Sequence, residues 1–157
     1  MSGTPHFDQD GNAHMVDVSA KTPTVRKAVA SGELRMLLTT AETIRAGTAR
    51  KGDVLAVARL AAIQATKWTQ NLIPLCHAIP IESVSIDFQW AAADRLRCLA
   101  TVQTTGKTGV EMEAMTAVSV GCLTVYDMVK GIDREIQIGE IMLLEKSGGK
   151  SGHFVRQ

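Results

Sequence analysis

The chain has 157 residues, a formal net charge of +1 and only 4% aromatic residues. That length makes one domain with a real hydrophobic core, and so balanced a charge excludes a polyelectrolyte partner, nucleic acid or membrane, for the molecule as a whole. The scarce aromatics exclude a stacking platform for single strands, and three separated cysteines without a CxxC pair (Cys76, Cys98, Cys122) argue against a disulfide framework or structural zinc.

Residues 1–14 mix Gly, Asp, Asn, Gln and His without periodicity and are expected to form a flexible arm, with 15–157 as a single domain. No apolar run resembles a signal peptide or a membrane span, so a soluble, cytoplasmic protein is expected. Thr22 to Ala30 reads as a short helix, with Thr22 as cap, Pro23 in the first turn and Gly32 past its end. Glu33 to Leu38 follows as a strand, and Thr40 to Ala46 as a helix stopped by Gly47. From Asp53 to about Gln70 the pattern is helical, with Val54, Val57, Ala58, Ala61, Ala62 and Ala65 on one small-residue face. Ile81 to Trp90 alternates apolar and polar residues as a half-buried strand does. Ala91 to Asp94 make the turn into an antiparallel partner from Leu96 to Thr104. A central helix precedes Lys130, and Arg134 to Leu144 supplies the last strand. This order predicts an α+β fold, an antiparallel sheet with helices on one face.

The chemistry concentrates at the ends of elements. The central helix is almost wholly small or apolar, yet Glu111 and Glu113 open it, and Asp127 and Lys130, three residues apart, share a face at its close. Ionisable groups at the ends of a buried helix lie where pKa values shift, although acids at the N-terminus and lysine at the C-terminus also suit the helix dipole. Gly106-Lys107-Thr108 and Gly149-Lys150-Ser151 are not Walker motifs, because Thr101 and Leu144 stand where the earlier glycine belongs. The first still precedes a helix N-terminus, a place for anions, and the second is a basic Gly-rich loop able to fold over phosphates. Lys51-Gly52-Asp53 starts the long helix, with Asp53 as N-cap. Leu72 to His77 is an apolar loop ending in adjacent Cys76 and His77. Adjacency does not make them a nucleophile–base pair, and no further ligands at suitable spacing make them a zinc site. Together with Lys67, Lys146 and Lys150, these groups suggest a small polyanionic substrate undergoing proton transfers.

Six blocks carry a family resemblance: MVDVSAK at 15–21, KGDVLAVARLA at 51–61, LIPLCH at 72–77, TGKTGVEMEAMTAVSV at 105–120, LTVYDMVK at 123–130 and LLEKSGGKSG at 143–152. Over nearly the whole chain it resembles the cyclic pyranopterin monophosphate synthase family of molybdenum cofactor biosynthesis. The resemblance implies conversion of 3′,8-cyclo-7,8-dihydroguanosine 5′-triphosphate into cyclic pyranopterin monophosphate, with loss of diphosphate. No redox step or organic cofactor is implied, and Mg2+ would be compatible with the phosphates. Asp127, Lys130 and Lys51 correspond to catalytic positions. Leu75, Cys76, His77, Met112 and Glu113 match substrate-contacting segments, and Arg26, Lys67, Glu111, Lys146 and Lys150 fit phosphate or purine contacts. The resemblance also implies a ferredoxin-like sheet and a homohexamer, a trimer of dimers, with the pocket between two subunits. Ala78 and Gly131 depart from common family residues (Pro and Ala) without removing a catalytic group. Three mechanistic expectations follow. Asp127 and Lys130 form a coupled acid–base pair, with the lysine pKa lowered by nearby cations and partial burial. Lys51 comes from another element. The helix N-terminus at Thr108 helps hold the triphosphate. A non-catalytic nucleotide-binding or oligomeric scaffold subunit is the alternative from another class. A metal hydrolase is disfavoured by the lack of a His-rich ligand set.

Overall fold

A computed structural model describes residues 6–157; residues 1–5 of the expected arm lie outside that range. The elements follow one another as β1 (Thr24–Arg35), α1 (Leu38–Ala46), α2 (Val54–Thr66), α3 (Thr69–Leu72), β2 (Ser83–Ala92), β3 (Arg95–Gly106), α4 (Glu111–Val129), β4 (Gln137–Ser147) and β5 (Phe154–Val155). The sheet order is β2-β3-β1-β4-β5, and every pairing is antiparallel. The first four strands thus have the split βαβ connectivity of a ferredoxin-like fold.

β1 corrects the expectation of a helix from Thr22 to Ala30. Its alanines favour helix in isolation, but Ala28, Ala30 and Leu34 are buried at a period of two, and the strand is hydrogen-bonded on both sides. Tertiary pairing overrides local propensity here. Small residues are needed because α4 crosses directly above. A Cβ placed on Gly32 would stand 2.4 Å from Val118 Cγ1, so that glycine is an approach point, not a helix stop. The expected strand Glu33 to Leu38 is the end of β1 plus the entry to α1.

α2 begins as expected, with the Asp53 carboxylate accepting the Ala56 N–H at 2.9 Å. It stops at Thr66, and α3 resumes for one turn, so the single helix to Gln70 is two pieces. Val54, Ala58, Ala62 and Ala65 are buried, whereas Val57 faces outward. The small-residue face packs within the chain, against α4: a Cβ on Gly121 would lie 3.3 Å from both Ala62 Cβ and Cys98 Sγ. The core is the single layer between this antiparallel helix pair and the inner sheet face of Ala28, Ala30, Leu34, Leu96, Cys98, Ala100 and Val102. β4, expected as the last strand from Arg134 to Leu144, lies three residues further along at Gln137–Ser147, and the short β5 follows it. No helix among the described residues is long and apolar enough to cross a membrane.

Candidate active site

The antiparallel packing of α2 on α4 sorts the candidate residues into two groups. Where α2 begins and α4 ends, Lys51 Nζ donates to Asp127 Oδ2 at 2.9 Å and to the Asp127 backbone carbonyl at 2.8 Å. Lys130 Nζ lies 2.7 Å from Asp127 Oδ1, one turn further along the same helix. The carboxylate is therefore clamped between two ammonium groups of one chain. Its side chain remains 54% exposed and that of Lys130 51%. The hydrogen bond from Lys130, then that from Lys51, depresses the Asp127 pKa to about 2. The amine of Lys130 was expected to be lowered by cations and burial. It is raised instead, because it bonds to Asp127 and is open to water. Asp127 thus rests as the carboxylate and Lys130 as the ammonium.

Where α4 begins, the chain builds a cleft. After α3, Cys76 N–H donates to Ile73 O at 3.3 Å around Pro74 and Leu75, and Leu75 has φ 61°. That is the position of a proline-initiated turn where glycine is favoured, so the loop is held against local preference. It delivers Cys76 to α4, whose thiol donates to Glu113 Oε1 at 3.9 Å. The other oxygen of Glu113 has no partner among the described residues, in a residue only 2% exposed. Burial, with help from the Glu111 charge, raises the Glu113 pKa, while burial and Glu113 raise that of Cys76. An unpaired buried carboxyl oxygen is unstable unless protonated or given a donor, so Glu113 is poised for one.

Two hollows meet at this carboxyl. One, of about 470 Å³, is lined by Lys67, Gln70, His77, Ile81 and Glu113. The other, of about 390 Å³, is lined by His6, Leu75, Cys76, Thr108, Glu111 and Met112, and shares His77, Ile79 and Glu113 with the first. Lys67 arrives as the C-cap of α2.

Basic loops flank this end. Arg26 Nε and its guanidinium NH2 group donate to Gly106 O and Lys107 O at 3.3 and 3.4 Å. The 148–152 loop presses on the same arginine, since a Cβ on Gly149 would collide with its guanidinium. The pairings Thr24↔Gly106 and Lys27↔Ser147 explain why two Gly-Lys motifs distant in sequence converge. Lys146 pairs with Glu111 at 3.2 Å and donates to Ser151 Oγ at 2.8 Å, and Lys150 is exposed on the loop. The Glu111 carboxylate folds back on Gly109, over the helix N-terminus, so a phosphate there would have to displace it.

Arg26, Lys67, Leu75, Cys76, His77, Glu111, Met112, Glu113, Lys146 and Lys150 thus lie around one end of α4, and Lys51, Asp127 and Lys130 at the other. Sixteen residues of helix, about 24 Å, separate Glu111 from Asp127. Thr108, expected at the helix N-terminus to help hold the triphosphate, lines the cleft, and so does His6, which the sequence does not single out. For Thr108 the Gly-Lys-Thr turn is the signal; for His6 there is none. Among the described residues no group of three or more His, Cys, Asp or Glu could hold a metal ion.

Comparison with known proteins bears on this geometry. The MoaC family matches residues 15–149. A cyclic pyranopterin monophosphate synthase of Rhodopirellula baltica is 56% identical, over 96% of this chain and 92% of its own length. Those of Desulfitobacterium hafniense and Roseiflexus sp. are 53% and 55% identical, covering 97% and 99% of this chain and 93% and 99% of theirs. The matched span takes in both ends of α4, the Lys51 corner and Lys146, and the chain belongs to the MoaC family.

Proposed function

We propose that the chain is a cyclic pyranopterin monophosphate synthase, a lyase of molybdenum cofactor biosynthesis. It converts (8S)-3′,8-cyclo-7,8-dihydroguanosine 5′-triphosphate to cyclic pyranopterin monophosphate and diphosphate. The observation that carries the mechanism is the Lys51–Asp127–Lys130 clamp. Opening and rebuilding a purine ring requires several proton transfers and no net redox change. The clamp stores two ammonium acids and one carboxylate, and a substrate that separates Asp127 from its lysines turns the carboxylate into a usable base. Arg26, Lys67, Lys146 and Lys150 supply charge for the triphosphate and the departing diphosphate. Glu113, Cys76, His77, Leu75, Met112 and Glu111 form the wall for the base. The chemistry calls for no organic cofactor, and Mg2+ is compatible with the phosphates.

The separation of about 24 Å exceeds what one nucleotide bridges, so the working site is built from two copies, one giving its clamp and the other its cleft. Met112, Leu123, Asp127 and Lys130 share the outer face of α4 by helical spacing, and Leu123 is 57% exposed. A two-fold partner laid antiparallel along that face would bring the unlike ends together. Outward apolar residues on the helix layer, Leu60 among them at 69% exposed, support further assembly. Three such dimers in a homohexamer, located in the cytoplasm, complete the proposal, with 15–157 as the catalytic domain behind a short arm.

A single-turnover assay with the cyclised triphosphate, following diphosphate and oxidised-pterin fluorescence, tests it. Both products should form, and Asp127→Ala or Lys51→Ala should slow them about 100-fold or more. Tight binding without either product would point to a scaffold subunit.

A further inference from the structure

The segment ahead of β1 is folded, yet barely attached. Residues 6–14 make a tight hairpin, closed by the Phe7–Ala13 bridge and the His14 N–H to His6 O bond at 2.9 Å. Asp8 Oδ1 caps the turn by accepting the Asp10 and Asn12 N–H groups. Residues 15–18 then run without regular structure, and a turn closed by the Lys21 N–H to Val18 O bond at 3.1 Å leads on to Thr24. From His6 to Val25 every residue is exposed except Val16 and Val18.

Among the described residues, two hydrogen bonds tie this segment to the rest of the chain, one from His77, which lines the cleft, and one from Lys107, next in the chain to Thr108, which also lines it. His77 Nε2 lies 2.8 Å from Val16 O, so that nitrogen carries the proton, and Lys107 Nζ donates to Ser19 O at 2.7 Å. At its far end His6 reaches the cleft beside Cys76, Glu111 and Glu113. The Asp17 carboxylate also feels Lys107, after its bond to the Ser19 N–H. One donor that lines the cleft and a second beside it in the chain are therefore engaged by neutral carbonyls of a peripheral segment.

We propose that residues 6–21 are a strap across the cleft, latched by His77 and Lys107, and that a polyphosphate ligand competes for those donors and releases it. The competition is one-sided. The Lys107 bond to the Ser19 carbonyl is charged at the donor alone, whereas a phosphate oxygen brings the opposite charge to the acceptor as well. The strap has almost no buried apolar surface to hold it once the latch opens, which puts it at the low-stability end of the fold. This inference rests on the reading of the cleft as a polyanion site, and the test separates the two.

Amide hydrogen exchange on the full chain reads the strap through the His14, Ser19 and Lys21 N–H groups, each bonded within it. In the ligand-free protein, Lys107→Gln should speed exchange in residues 14–21 about five- to thirty-fold while leaving β1 and β3 unchanged. Lys107→Arg, which retains a donor, should restore most of the protection. Unchanged exchange in Lys107→Gln overturns the latch whether or not any ligand binds. Inorganic triphosphate, with binding followed by calorimetry, should speed the same amides in wild type. Heat of binding with unchanged or slowed strap exchange overturns the competition. Absence of binding overturns it too, while the proposed reaction stands or falls on product formation.

Discussion

Asp127 sits between two ammonium groups in water, and that fixes its pH behaviour. Its folded pKa of about 2 is below the ordinary 3.8, so what it contributes is present above about pH 4 and is lost as pH falls toward 2. The Lys130 pKa is raised above 10.5, so its contribution is full below that value and is lost only at higher pH. Between these limits Asp127 and Lys130 both keep their charges. We expect the Lys130 Nζ NMR signal to stay that of an ammonium through pH 10; a midpoint below 10 would refute the clamp. Glu113 has the opposite linkage. Burial raises its folded pKa above 4.5, so the folded state favours the protonated acid and loses stability as pH rises past 4.5. Glu113→Gln keeps the shape and removes the charge. It should melt close to wild type near pH 4 and about 2–4 °C higher at pH 8. An equal loss of stability at both pH values would mean the carboxylate is paired.

At the scale of elements, the site depends on how closely α4 lies on β1 and α2. Gly32→Ala forces a methyl group into Val118 Cγ1, and overpacking of this kind costs about 1–3 kcal/mol, readable as a lowered urea midpoint. The Asp53 cap acts at the other contact. Asp53→Ala removes the bond to the Ala56 N–H and should cost about 1 kcal/mol. Because Lys51 enters the same corner, turnover should fall more than the lost stability explains, and wild-type turnover in a folded Asp53→Ala would show that Lys51 is positioned by something else.

For the whole molecule, the separation of clamp and cleft makes a prediction about mixtures. Asp127→Ala and Lys67→Ala chains should each be inactive alone. Unfolded together and refolded at equal amounts, random two-fold pairs regain one intact site in each mixed dimer, about a quarter of wild-type activity. No recovery would mean that one chain holds a complete site.

Much of this was legible in the chain because it is local. The alternation of Val84, Ile86 and Phe88 specified β2, the small-residue spacing from Val54 to Ala65 specified α2, and Asp127 and Lys130 had to meet because residues three apart on a helix share a face. The motif blocks identified the family, since the order of residue types is itself the signature. What the sequence could not decide was set by distant partners. Ala28 and Ala30 lie in a strand because β3 and β4 bond it on both sides, and no window of β1 contains those neighbours. The amine of Lys130 is strengthened, not weakened, because its hydrogen bond to Asp127 and the charge of that carboxylate outweigh the cost of burial, a balance that only distances reveal. Helix length determined that the chemistry has two ends. Only the antiparallel stacking of α2 on α4 decided that Lys51 joins one and Lys67 the other.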